Sequence, residues 1–158
     1  LPVRQVEEEM VRRVEALSPA GTASIDTYKQ AQAPARWSQV RQAGTTPISS
    51  GERAHLAFDC FVESSPVYQG NRGTPGEFQM VRSRANVMFT YHLRASQAVD
   101  DRRLALDAAH DIVRAMNDYP RSDWMVDLVD AGRIAVTDTD RPLLVVLVIF
   151  DISHEIGV

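Results

Sequence analysis

The segment Gln79–Ala95 reads QMVRSRANVMFTYHLRA, and its alternation decides the fold. Val81, Ala85, Val87, Phe89, Tyr91 and Leu93 fall on one side of an extended chain. Met80, Arg82, Arg84, Asn86, Thr90 and His92 fall on the other. A period of two with aromatic and β-branched residues on one side predicts a strand with one face on a core. About 15 residues of strand span about 50 Å, far more than the usual five or six residues. Upstream, Leu56, Phe58, Cys60 and Val62 alternate with His55, Ala57 and Asp59, which predicts a second strand over Ala54–Val62. Glu63–Phe78 between them holds two prolines, three glycines and few apolar residues. The pair therefore reads as a long β-hairpin with an extended tip at 63–78, its outer half projecting beyond the body of the domain.

Outward from the hairpin, Val3, Val6, Met10, Val14 and Leu17 recur at helical spacing and predict an amphipathic helix. Pro2 suits its first position, Glu7, Glu8 and Glu9 suit the positive end of its dipole, and Ser18-Pro19 with Gly21 ends it. Residues 18–53 lack periodicity, and a stretch of that length inside a compact domain points to function or mobility. Trp37 and Val40 are its candidates for contact with the core. A second helix runs from about Asp100 to Asp118, capped by Asp100 or Asp101, with Leu104, Ala108, Ile112, Val113 and Met116 on its buried stripe. Arg133–Thr137 is a short strand candidate, and Leu143–Ile152 is apolar on both faces, as a central strand would be. The expected architecture is a single α+β domain over 1–158 in the order α-β-β-α-β-β, a mixed or antiparallel sheet with two helices on one face.

Composition bounds the function. The chain has 158 residues and a formal charge of −4, with no electrostatic drive toward nucleic acid or anionic membrane. Its longest apolar run is far shorter than the ~20 residues that span a bilayer, and no secretory leader is recognisable, so a soluble protein is expected. The single cysteine, Cys60, cannot form an internal disulfide and lies on the apolar face of its strand, where a buried inert thiol is expected. His55, His92, His110 and His154 have no metal-site spacing, and no nucleophile-elbow, P-loop or dinucleotide motif occurs. Gly70–Gly76 is glycine-rich, but no lysine or helix start follows it. No metal or cofactor is expected. The best enzymatic arrangement pairs Asp59 with His92 on polar faces of neighbouring strands, for general-base work. No nucleophile is poised beside them, and an ordinary cross-strand pair or interface contact is the commoner arrangement.

Arg82, Arg84 and Arg94 share one strand face, without the interleaved aromatics of a nucleic-acid binder. Sixteen of the seventeen basic residues are arginine, the cation favoured at protein interfaces, although genomic base composition produces the same excess. The expected subunit interface is Met80, Arg82, Arg84 and His92, meeting Asp59, Glu63 and the Asp100-Asp101 pair of a neighbour.

The order of an N-terminal amphipathic helix, a long hairpin ending in NVMFTYHLR (Asn86–Arg94), a helix RRLALDAAHDIVRAMN (Arg102–Asn117) and two closing strands ending in LLVVLVIFDI (Leu143–Ile152) resembles the tail terminator proteins of long-tailed bacteriophages. The resemblance covers most of the chain, least securely 18–53. It implies a structural virion protein, assembled in the host cytoplasm, that forms a hexameric ring at the head-proximal end of the tail. Such a ring caps the tail tube, ends its polymerisation and docks a head-completion protein, while DNA passes through its lumen without sequence-specific binding. It implies no catalytic residues. The alternatives are another head-tail connector or neck protein, or a small α+β enzyme using Asp59 and His92.

Overall fold

The computed structural model describes residues 3–17, 37–39, 56–63, 67–68, 79–93, 98–117, 124–136 and 143–156. Helix α1 spans Val3–Glu15 and presents Val6, Met10 and Val14 to the core, the stripe that its spacing predicts. It begins early enough that Glu7, Glu8 and Glu9 lie past its first turn, so they act through side-chain partners and not through the helix dipole. Glu7 Oε1 accepts a hydrogen bond of 2.7 Å from the Val62 amide, tying α1 to the end of a strand.

The sheet contains β1 (Ser38–Gln39), β2 (Ala57–Val62), β3 (Val67–Tyr68), β4 (Gln79–His92), β5 (Trp124–Val136) and β6 (Leu143–Ile156). Helix α2, Ala98–Asn117, lies between β4 and β5 in sequence. The strand order is β1-β2-β4-β6-β5, with β3 beside β4. All pairings are antiparallel except β1 with β2. The chain is thus α+β, with both helices on one face of the sheet and one continuous core between the layers. The core takes Val6, Met10 and Val14 from α1 and Ala105, Ala108, Ile112 and Met116 from α2. Against them stand Phe58, Val87, Phe89, Tyr91, Val146, Val148 and Phe150 of the sheet. Each large side chain buried there contributes about 1.5–3 kcal/mol, which is why this face is so strictly apolar.

The hairpin differs from its sequence-based picture in one respect. β2 pairs with β4 only from Phe58↔Phe89 to Val62↔Ala85, but β4 pairs with β6 along its whole length, from Gln79↔Ile156 to His92↔Leu143. The outer half of β4 is therefore carried by β6 on one side and touched by β3 at Val81 and Arg82 on the other. A long strand needs a long partner to satisfy its amides. The hairpin tip, apart from Glu63, Val67 and Tyr68, lies outside the described residues.

Two further departures follow from local chemistry. β5 is long, Trp124–Val136, and not the short piece expected over Arg133–Thr137. Its register against β6 shifts between Leu128 and Asp130 and again between Asp130 and Arg133, which breaks the alternation that would have shown it as a strand. Gly132 sits in this irregular stretch at φ +157°, a backbone setting that side-chain-bearing residues rarely adopt. Helix α2 starts two residues before Asp100, so Asp100 and Asp101 are first-turn residues stabilised by the dipole and are not caps. Trp37 is buried edge-on to Phe89 and Phe58, with ring centroids 5.0 and 6.1 Å away, so the irregular segment does anchor there. Val40 lies outside the described residues.

Candidate assembly surface

The alternation that sends Val87, Phe89 and Tyr91 inward sends Arg82, Arg84, Asn86, Met88, Thr90 and His92 to the opposite face of the sheet. Register then decides what they meet. Arg84 lies directly opposite Asp151 of β6, and Asp151 lies opposite Asp127 of β5. Arg82 Nη2 is 3.0 Å from Asp151 Oδ2 and 3.6 Å from Asp127 Oδ2. Arg84 Nε donates to Asp151 Oδ1 at 3.2 Å, which raises the Arg84 pKa above its ordinary value. Asp151 thus sits between two guanidiniums inside one subunit. Arg82 Nε is buried without a hydrogen-bond partner.

The residues of the expected interface, four of one copy meeting four of the next, are spread over both layers of the fold. Arg82 pairs with Asp151 and, at 3.6 Å, with Asp127, and Arg84 pairs with Asp151, all within the chain. Asp100 and Asp101 belong to α2, on the other side of the sheet from those arginines, and Asp101 is buried. Glu63 accepts a hydrogen bond of 3.2 Å from Asn86 Nδ2, and Asp59 Oδ1 accepts one of 2.9 Å from the Cys60 amide. The side chain of Met80 is outside the described set.

The Asp59–His92 pair is likewise not assembled. Both are on the same sheet face, but Asp59 is opposite Met88, four residues along β4 from His92. That separation is about 13 Å of strand, far beyond the ~3 Å of a general-base contact. A different imidazole has a close hydroxyl partner: His154 Nε2 lies 2.8 Å from Ser83 Oγ. Both residues are fully buried on the core face, so this pair fastens β4 to β6 inside the protein. Nothing in the sequence marked it, because the pairing depends on register alone. The Cys60 thiol is buried and burial pushes its pKa well up, so it is a poor nucleophile, in keeping with its position on the apolar face. Among the described residues no group of three or more His, Cys, Asp or Glu could hold a metal ion. No described helix is long and apolar enough to cross a membrane.

Three features of the surface bear on assembly. Between the charged end of the second sheet face and His92, Phe61, Met88, Val145, Leu147 and Ile149 form a half-buried apolar strip. β5 is an edge of the sheet, and Met125, Leu128 and Val129 on it are exposed. Val99 and Leu106 stand exposed on α2. Sequence reading found only the C-terminal end of β5, over Arg133–Thr137, although the run Trp124–Val129, apolar except for Asp127, was a further signal. No protein-family model matches the chain, and a search of curated proteins finds no similar one.

Proposed function

We propose that this chain is a ring-forming structural protein that caps the tail tube of a long-tailed phage or phage-like particle, ends its polymerisation and joins tail to head. The observation that carries the reading is β5, a thirteen-residue strand that ends the sheet among the described residues and leaves Met125, Leu128 and Val129 exposed there. A long apolar edge is an association site in any soluble protein unless a partner covers it. The element order that resembles tail terminators supplies the kind of partner: further copies of the chain, the tube protein, and a head-completion protein. Six copies around an axis need two unlike surfaces that meet in a closed cycle. The sheet with helices on one face supplies a rigid block for such a cycle, and the negative net charge lets DNA pass a lumen with few phosphate contacts.

The test is electron cryo-microscopy of the chain mixed with tail tubes of the same particle. A six-fold ring at one end of each tube, with tube length no longer growing, is the expected result. Tubes that keep lengthening and carry no added density would refute the reading.

A further inference from the structure

Among the described residues, the exposed large apolar side chains fall into two groups only. The first is on α2, where Val99 is 66% and Leu106 41% exposed. Helical spacing aligns Val99, Arg102, Arg103, Leu106, His110 and Arg114 along one outward ridge, and all six are exposed. Its arginines are loosely held: Arg103 reaches Asp100 at 3.7 Å and Arg114 reaches Asp111 at 3.6 Å, with both arginine side chains more than 70% exposed. The ridge is apolar and basic, with Asp107 on its flank. The second group is Met125, Leu128 and Val129 on β5, 65%, 45% and 44% exposed, with Met125 on the second sheet face beside Asp127 and Leu128 on the helix side, so that the group wraps around the edge. Here the neighbouring charges are Asp127 and Asp130. This edge is apolar and acidic.

We propose that the α2 ridge of one copy docks on the β5 edge of the next. Val99 and Leu106 then cover Met125, Leu128 and Val129, and Arg102 and Arg103 face Asp127 and Asp130. The occupant is a second copy because one chain carries both halves, opposite in charge and alike in apolar content. Two unlike patches on one chain make a head-to-tail contact, the kind a ring requires. A helix, not another strand, suits this edge. The register shifts between Leu128 and Arg133 interrupt the row of backbone groups that an added strand would need. Asp127 is 59% exposed, and among the described residues its one ion pair is the 3.6 Å contact to Arg82, so it is able to turn outward. The inference rests on the ring reading and names the contact that builds the ring.

The experiment follows the sedimentation of the full chain over a wide concentration range in low salt. One variant carries Arg102→Glu and Arg103→Glu, the other Met125→Lys and Asp127→Lys, and circular dichroism verifies that both are folded. The wild type is expected to associate, each variant alone to associate at least about tenfold more weakly, and an equal mixture of the two to recover association. Recovery is the decisive sign, since each contact in the mixture again joins opposite charges. A wild type that never associates, variants that associate like the wild type, or a mixture that does not recover would each overturn the proposal. Six-fold rings on tubes formed equally by both variants would remove this contact and leave the cap reading intact. Recovered association without any capping would do the reverse.

Discussion

Arg13 is the residue that binds the two helices and the sheet edge into one unit. Its side chain is buried, although it is charged and lies on a surface-seeking helix. Nη1 donates to the carbonyls of Ala115 and Met116 at 3.1 and 2.8 Å, which are among the open carbonyls that end α2. The guanidinium carbon stands 4.6 Å from the Trp124 ring centroid, and Nε donates to Glu9 at 3.0 Å. Glu9 also receives Arg12 at 2.6 Å. The Arg12 hydrogen bond, helped by Arg13, lowers the Glu9 pKa from 4.5 to about 2, against the opposing effect of burial. A carboxylate depressed on folding stabilises fully above its unfolded pKa and loses that stabilisation as pH falls through the folded one. The loss is thus expected between pH 4.5 and about 2. After allowance for solvent screening it amounts to about 1–2 kcal/mol. Urea unfolding of wild type and Glu9→Gln at pH 6 and pH 3 measures it. The variant should be the less stable at pH 6, and the gap should narrow at pH 3.

At the scale of elements, register turns a row of polar residues into a network. Reversing Arg82 and Arg84 to glutamate would place both beside Asp151, whose side chain is only 15% exposed, with Asp127 near. The expected outcome is a folding defect, seen as a lower thermal midpoint of the monomer before any assembly is measured. An unchanged midpoint would mean that these pairs contribute nothing. This element also shows what could be read from residues alone. The alternation of Val87, Phe89 and Tyr91 identifies β4, and the three-to-four spacing of Val6, Met10 and Val14 identifies α1. Both follow from local geometry and one water-averse face. Asp151 as the partner of Arg82 and Arg84 was not legible, because it sits in an otherwise apolar run and only the β4–β6 register brings it there. Likewise Asp59 and His92 looked paired because a face is readable, while their offset along the strand is not. The longer part of β5, before Arg133, escaped because its irregular register erases the period-two signal.

For the whole molecule, the matter is which parts hold the block together and which serve partners. Trimming Ser65–Glu77 to a short glycine-containing turn removes β3, which makes only the pairs Val67↔Arg82 and Tyr68↔Val81. β4 keeps its entire ladder with β6, so the trimmed protein should fold, with a thermal midpoint lower by about 2–4 °C for each kcal/mol lost with β3. It should fail to complete particles, as judged by plaque formation or by imaging of joined heads and tails. Trimmed protein that still completes particles would show the tip to be a tolerated surface insertion. The α+β architecture and the element order were legible at this scale, since they need only the kind and sequence of elements. The surfaces were not, since they depend on which strand ends at an edge.

The position of β6 has a consequence for how the protein comes into being. β6 is the last described strand to be synthesised, yet it stands between β4 and β5, and β5 joins the sheet only through it. A ribosome that has released everything up to β5 therefore holds a nascent chain with the flank of β4 unpaired and the stripe of α2 lacking Val146, Val148 and Phe150 beneath it. Gln79 must then find Ile156, roughly half the chain away, before the layers can close. Such long-range closure is slow, and the waiting species is prone to aggregate. Yield in a cell would then be governed by chaperone capture of the unfinished polypeptide more than by the strength of the finished fold.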